Sequence, residues 1–129
     1  MNAILKFEPI FKSVIWGGQR IARFKGIAPQ GDHVGESWEL SPMEGNESVV
    51  AEGPFKGIGL NSLIADHGDE IMGARLMKAC GGRFPLLIKF IDSTDDLSVQ
   101  VHPDDDLAAR RHNGSLGKTG MWYSILPAE

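Results

Sequence analysis

Hydrophobic and polar positions change period several times along this chain, and each change marks an element. Val34–Ser41 (VGESWELS) alternates, which predicts a strand with Glu36 and Trp38 on one face and Ser37 and Glu39 on the other. Glu47–Gly53 reads as another strand, closed by a Gly-Pro turn. Upstream, Trp16-Gly17-Gly18 predicts a turn, followed by a short helix around Gln19–Phe24. Leu60–Gly68 predicts a helix capped by Asn61 or Ser62 and ended by Gly68. Ile71, Met72, Leu76 and Met77 continue a loose 3.6 period, so the methionines are expected to pack in a core.

The second half is more informative. Phe84–Asp92 (FPLLIKFID) is an apolar run after a proline, as in a strand buried on both faces. Lys89 is its one charged interior residue, and it must either snorkel to solvent or face a polar cavity. Leu97–Pro103 (LSVQVHP) alternates strictly, with Leu97, Val99 and Val101 on one face and Ser98, Gln100 and His102 on the other. That polar face either meets solvent or lines a ligand or metal cavity. In the second case Gln100 and His102, about 7 Å apart at Cα, can reach one ion. Pro103 stops the strand. Asp104–His112 then reads as a short helix with carboxylates at its start and Arg110, Arg111 and His112 at its end, which complements the helix dipole. Asp104, Asp105 and Asp106 read as cap and solvated surface. After a loop, Lys118–Leu126 has the content of a strand, with Lys118, Gly120, Trp122 and Ser124 sharing a face.

Short strands separated by turns agree with 16 glycines and 7 prolines spread along the chain, and a length of 129 residues predicts one domain over 1–129 without a linker. A net charge of −4 and the absence of a basic stripe exclude nucleic acid as the expected partner, whereas a few lysines suffice for a small phosphorylated ligand. Cys80 is the single cysteine, so no intrachain disulfide forms, and it reads as a small buried hydrophobe. At the N-terminus Lys6, Glu8, Pro9 and Lys12 interrupt the apolar residues. No signal peptide or membrane span is expected, and the cytoplasm is the default location.

Gly117-Lys118-Thr119 resembles the end of a phosphate-binding P-loop. That loop needs a glycine five positions before Gly117, where His112 stands, and it follows a strand and opens a helix. Here the lysine follows a helix and loop and is expected to open a strand. Spacing and order both fail.

Taken together, several stretches resemble the type I phosphomannose isomerases, zinc enzymes of the cupin fold that interconvert mannose 6-phosphate and fructose 6-phosphate. They are Trp16-Gly17-Gly18, Gly35-Glu36-Ser37-Trp38-Glu39, Phe84-Pro85-Leu86-Leu87-Ile88-Lys89, Leu97 through Asp105, Gly117-Lys118-Thr119 and Met121-Trp122-Tyr123. The resemblance implies a mainly β, cupin-like jelly-roll barrel with a few short helices, incomplete in this chain. It implies Gln100 and His102 as ligands of Zn2+, and Lys89, Ser98 and Lys118 in the sugar-phosphate pocket, Lys118 with a catalytic role. Its chemistry is proton transfer between C1 and C2 through an enediol.

The chain departs from the family pattern at Gly120, where the motif G-K-T-E carries a glutamate ligand. The fourth ligand, a histidine, and a substrate-binding arginine would fall beyond Glu129. The expectation is therefore weak zinc binding and little or no isomerase activity. Self-association or a partner chain is expected to cover the open sheet edges. The alternative is a non-catalytic sugar-phosphate-binding or assembly module with a degraded metal site. His33, His67 and His112 read as solvated or capping residues, and Glu36 and Glu39 as structural.

Overall fold

The structure is a computed structural model, and it describes residues 4–114 and 116–125. It divides into two compact units, Met1–Leu97 and Ser98–Glu129.

The first unit is built on one antiparallel sheet of three strands in the order β1-β2-β3: β1 (Ile10–Gly18), β2 (Val34–Leu40) and β3 (Ile88–Ile91). Alternation in VGESWEL forms the central strand as expected, with Lys12 opposite Glu36 and Lys89 opposite Trp38 in the ladders on its two sides. Three short helices accompany the sheet: α1 (Arg20–Lys25), α2 (Leu60–Ile71) and α3 (Ala74–Ala79). Leu60, Leu63 and Ile64 form the buried stripe of α2 and share the unit's core with Ile21, Val34 and Val50. The sheet is open, so the incomplete β architecture with short helices that the sequence implied is what the structure shows.

Several boundaries differ from expectation. Trp16-Gly17-Gly18 is the end of β1 and not a turn, because these glycines serve close packing. A Cβ on Gly17 would lie 2.4 Å from the carbonyl oxygen of His33, and one on Gly18 would lie 2.3 Å from the Asp92 carboxylate. Residues 47–53 form only isolated bridges, Val49 with Gly59 and Phe7 with Val50, since Gly57 N–H turns back onto the Val50 carbonyl. Gly59 and not Asn61 or Ser62 is the N-cap of α2, and that helix runs past Gly68, kinked at His67, with the Met77 side chain lying where a Gly68 Cβ would be. Cys80 caps the end of α3 and is half-buried.

The strand expected over 84–92 shortens to Ile88–Ile91. As an edge strand it pairs only with β2 and is not sealed on both faces, and Ile88 is exposed. Just beyond it Asp92 is 3 % exposed and clasps the start of α1: its carboxylate accepts from the Arg20 backbone N–H at 2.7 Å and from Arg20 Nε at 2.6 Å.

The second unit contains α4 (Asp105–Arg111), with its charge order as expected and the Asp104 carboxylate capping it by accepting from Leu107 N–H at 2.8 Å. The strands expected over 97–103 and 118–126 are not strands: none of their described residues joins a ladder, and residue 126 lies outside the described residues. Strand propensity there meets no neighbouring strand to bond with, and Val99 and Val101 are 98 % and 94 % exposed.

Candidate functional site

The candidate residues fall in both units. In the first, β3 presents Lys89 beside Glu36 of β2, and its Nζ donates to Glu36 Oε1 at 2.8 Å. Glu36 in turn accepts from the Trp38 indole N–H at 2.6 Å, the i, i+2 pairing that alternation predicts for one strand face. Lys89 and Glu36 are 23 % and 16 % exposed at their side chains, so the pair is only partly screened by solvent. Lys89 therefore neither snorkels free nor sits unpaired; a carboxylate meets it. Lys12 from β1 completes the group, its ammonium 5.0 Å from the Trp38 ring centre while that of Lys89 lies at 5.6 Å on the same ring.

The opposite face of β2 carries Ser37 and Glu39. Lys25, from the last turn of α1, donates to Glu39 Oε1 at 2.5 Å and to Ser37 Oγ at 3.4 Å, with the Phe11 and Phe90 rings beside it. Glu36 and Glu39 thus both hold lysines. His33 Nδ1 lies 3.4 Å from the Gly17 carbonyl, His67 Nδ1 lies 3.3 Å from Glu70, and His112 caps the end of α4, the structural roles expected of these three. The Lys6–Glu52 pair is exposed on the surface; their mutual hydrogen bond and then their charges raise the pKa of Lys6 and lower that of Glu52.

In the second unit, Gln100 Nε2 donates to Ser98 Oγ at 3.0 Å, so these two polar side chains meet even without a ladder. Pro103, next to His102, accepts from the Lys118 backbone N–H at 3.2 Å, and Gly117 N–H donates to the Asp105 carboxylate at 2.8 Å. Gly117 has to be glycine here, because a Cβ would come within 2.5 Å of the Asp104 backbone. The loop that carries Lys118 is thereby fastened to the turn that follows His102. Two separate stretches of sequence become neighbours through one backbone–backbone bond and one backbone–carboxylate bond that no alternation pattern announces.

A zinc site of the catalytic kind takes three protein ligands and leaves a fourth position open. Gln100 and His102 offer an amide oxygen and an imidazole nitrogen. Among the described residues no group of three His, Cys, Asp or Glu side chains stands together to hold a metal. Gly120 contributes no donor, and the space where its Cβ would point is empty to 4 Å. The residues present do not fit a complete zinc shell. Among the described residues, no helix is long and apolar enough to cross a membrane.

Lys12 escaped the sequence reading as a site residue, and that reading gives Trp38 a place on the Glu36 face without a role in a site. Lys12 registered there only as a charge interrupting apolar residues. Its position opposite Glu36 depends on the β1–β2 register, which has a shift immediately after it.

Known proteins agree on the family. The family model of the phosphomannose isomerase type I catalytic domain matches residues 4–117. The probable mannose-6-phosphate isomerase GmuF of Bacillus subtilis is 44 % identical over 125 residues, covering 97 % of this chain and 38 % of that protein. The mannose-6-phosphate isomerase ManA of the same organism is 43 % identical over 94 % of this chain and 36 % of its own length. The crystal structure of the mannose 6-phosphate isomerase from Bacillus subtilis superposes with a TM-score of 0.76 at 37 % identity, over 88 % of this chain and 34 % of that one. The chain thus spans a little over a third of the length of these relatives, and its cupin-type fold is that of the corresponding part of the solved enzyme. It belongs to the type I phosphomannose isomerases, a family of enzymes.

Proposed function

We propose that this chain forms part of a cytoplasmic aldose–ketose isomerase acting on a hexose 6-phosphate, mannose 6-phosphate to fructose 6-phosphate, and that its two units belong to a single isomerase domain. The observation that carries the proposal is the match to the catalytic-domain family over residues 4–117, which runs across both units. The junction of Pro103 with Lys118 supports it, since it joins the stretch holding Ser98, Gln100 and His102 to the loop of the second lysine.

In this reading Lys89 and Lys118 supply positive charge for the phosphate and for negative charge that develops on the sugar oxygens, and the Ser98 hydroxyl orients the sugar. Lys118 is the catalytic member. The family's metal is zinc, and Gln100 and His102 are the two residues of this chain that would donate to it. Two donors hold it weakly, so the unmodified chain turns over little substrate. Open edges on β1 and β3 favour self-association or a covering partner chain, and sedimentation velocity should give a species larger than the monomer.

The direct test is a coupled isomerase assay with mannose 6-phosphate and added zinc, comparing the chain with Gly120→Glu. Open space at Gly120 accommodates the new side chain. Rescue in the variant, abolished by a chelator, would trace the weak site to Gly120, and no turnover in either form would trace it to the ligand and arginine that the resemblance places beyond Glu129. Chelator-sensitive turnover by the unmodified chain would refute the weak site. Failure of both forms to bind the sugar phosphate would refute the substrate reading.

A further inference from the structure

We infer that Lys12 is a second positioning cation for a phosphate monoester, on the β-sheet face where it flanks Trp38 together with Lys89. The inference deepens the reading of Lys89 as a sugar-phosphate residue and rests on it.

Three adjacent strands build this face. Lys12 of β1 stands opposite Glu36 of β2, and Lys89 of β3 stands opposite Trp38, so the two strands that flank β2 each bring an ammonium group to one indole. Their neighbours differ in charge. Lys89 is matched by the Glu36 carboxylate, while Lys12 donates to the neutral amide oxygen of Asn46. Among the described residues, these two cations and one carboxylate leave the group around Trp38 one positive charge in excess. A half-buried cation whose hydrogen bond goes to an amide keeps most of its field for an incoming anion.

The opposite face of β2 provides an internal contrast. There Lys25 meets Glu39 one to one between the Phe11 and Phe90 rings, and among the described residues this group is neutral. An anion has a reason to approach the Trp38 face and none to approach the Lys25 face. The indole adds an apolar, polarisable surface between the two cations, suited to the ring carbons of a hexose that carries the phosphate. Lys12 therefore holds the phosphate from the β1 side while Lys89 holds it from the β3 side, and the sugar lies against Trp38.

The test is titration calorimetry of the full chain with mannose 6-phosphate and, separately, with inorganic phosphate, at several salt concentrations. Lys12→Gln, Lys12→Arg and Lys89→Gln are compared, and near-ultraviolet circular dichroism confirms that each variant is folded. Removing one charge-assisted contact is expected to weaken both ligands about tenfold in Lys12→Gln and to flatten the salt dependence. Lys12→Arg keeps the charge and should keep most of the affinity, which a merely structural role would not require. Unchanged affinity in Lys12→Gln with a loss in Lys89→Gln would overturn the role of Lys12 and leave Lys89 in place. Unchanged affinity in both variants would overturn the parent reading as well, and so would an unmodified chain that binds neither ligand.

Discussion

The two faces of β2 hold the same kinds of side chain and differ in how the charges are counted and enclosed. On one face Lys25, Glu39 and Ser37 make a neutral group between the Phe11 and Phe90 rings, and Ser37 is fully buried. On the other, Lys12, Glu36 and Lys89 surround Trp38, with one cation in excess among the described residues. A lysine beside a glutamate therefore says little by itself. Enclosure and charge balance separate a group that fixes α1 to the sheet from one that can receive a ligand.

The largest effect is expected on the neutral face. Lys25→Met leaves Glu39 without its cation among aromatic neighbours and should cost about 2–3 kcal/mol of stability in urea unfolding, with phosphate binding unchanged. The double variant Lys25→Met, Glu39→Leu should recover most of that loss, because an apolar pair replaces a costly ionic one. If the single variant is as stable as the parent, the neutral face is not the fastening it is taken for here. A smaller effect is expected across the sheet. Glu36→Gln keeps one amide oxygen, which can accept from either the Trp38 indole or the Lys89 ammonium in place of the two carboxylate oxygens, and removes the carboxylate that stands between the two lysines. Affinity for inorganic phosphate should rise about threefold in calorimetry, as expected when a like charge beside a partly solvated anion is removed. A fall in affinity would reverse the sign of the electrostatic argument.

How much of this was legible beforehand varied with the kind of interaction. Alternation in VGESWEL and the acid-to-base order of Asp104–His112 fixed β2 and α4, because both depend on neighbours within a few residues. Glycines misled. Gly17 and Gly18 read as a turn, yet they are places where the His33 backbone and the Asp92 carboxylate come too close for a Cβ. Gly68 read as a helix stop, yet α2 continues through it beneath Met77. Residues 97–103 have ideal strand alternation and make no ladder, since propensity belongs to a segment and pairing belongs to two. Among the candidate site residues, motif pieces pointed to Lys89, Ser98, Gln100, His102 and Lys118. Lys12 carried no motif and entered only through register, and the tie between Pro103 and Lys118 entered only through the backbone.

The clasp of Asp92 on Arg20 also bears on the order of folding events. It joins residues 72 apart in the chain, so its loop is long and its closure entropically unfavourable until the intervening chain has collapsed. The pairing of β1 with β2 closes a much shorter loop, through α1, and can form earlier. Loop-closure cost thus favours docking of β3, with burial of Asp92 against the start of α1, after β1 and β2 have paired. Lys89 is carried on β3, so the Trp38 face gains its second cation only once that strand has docked on β2.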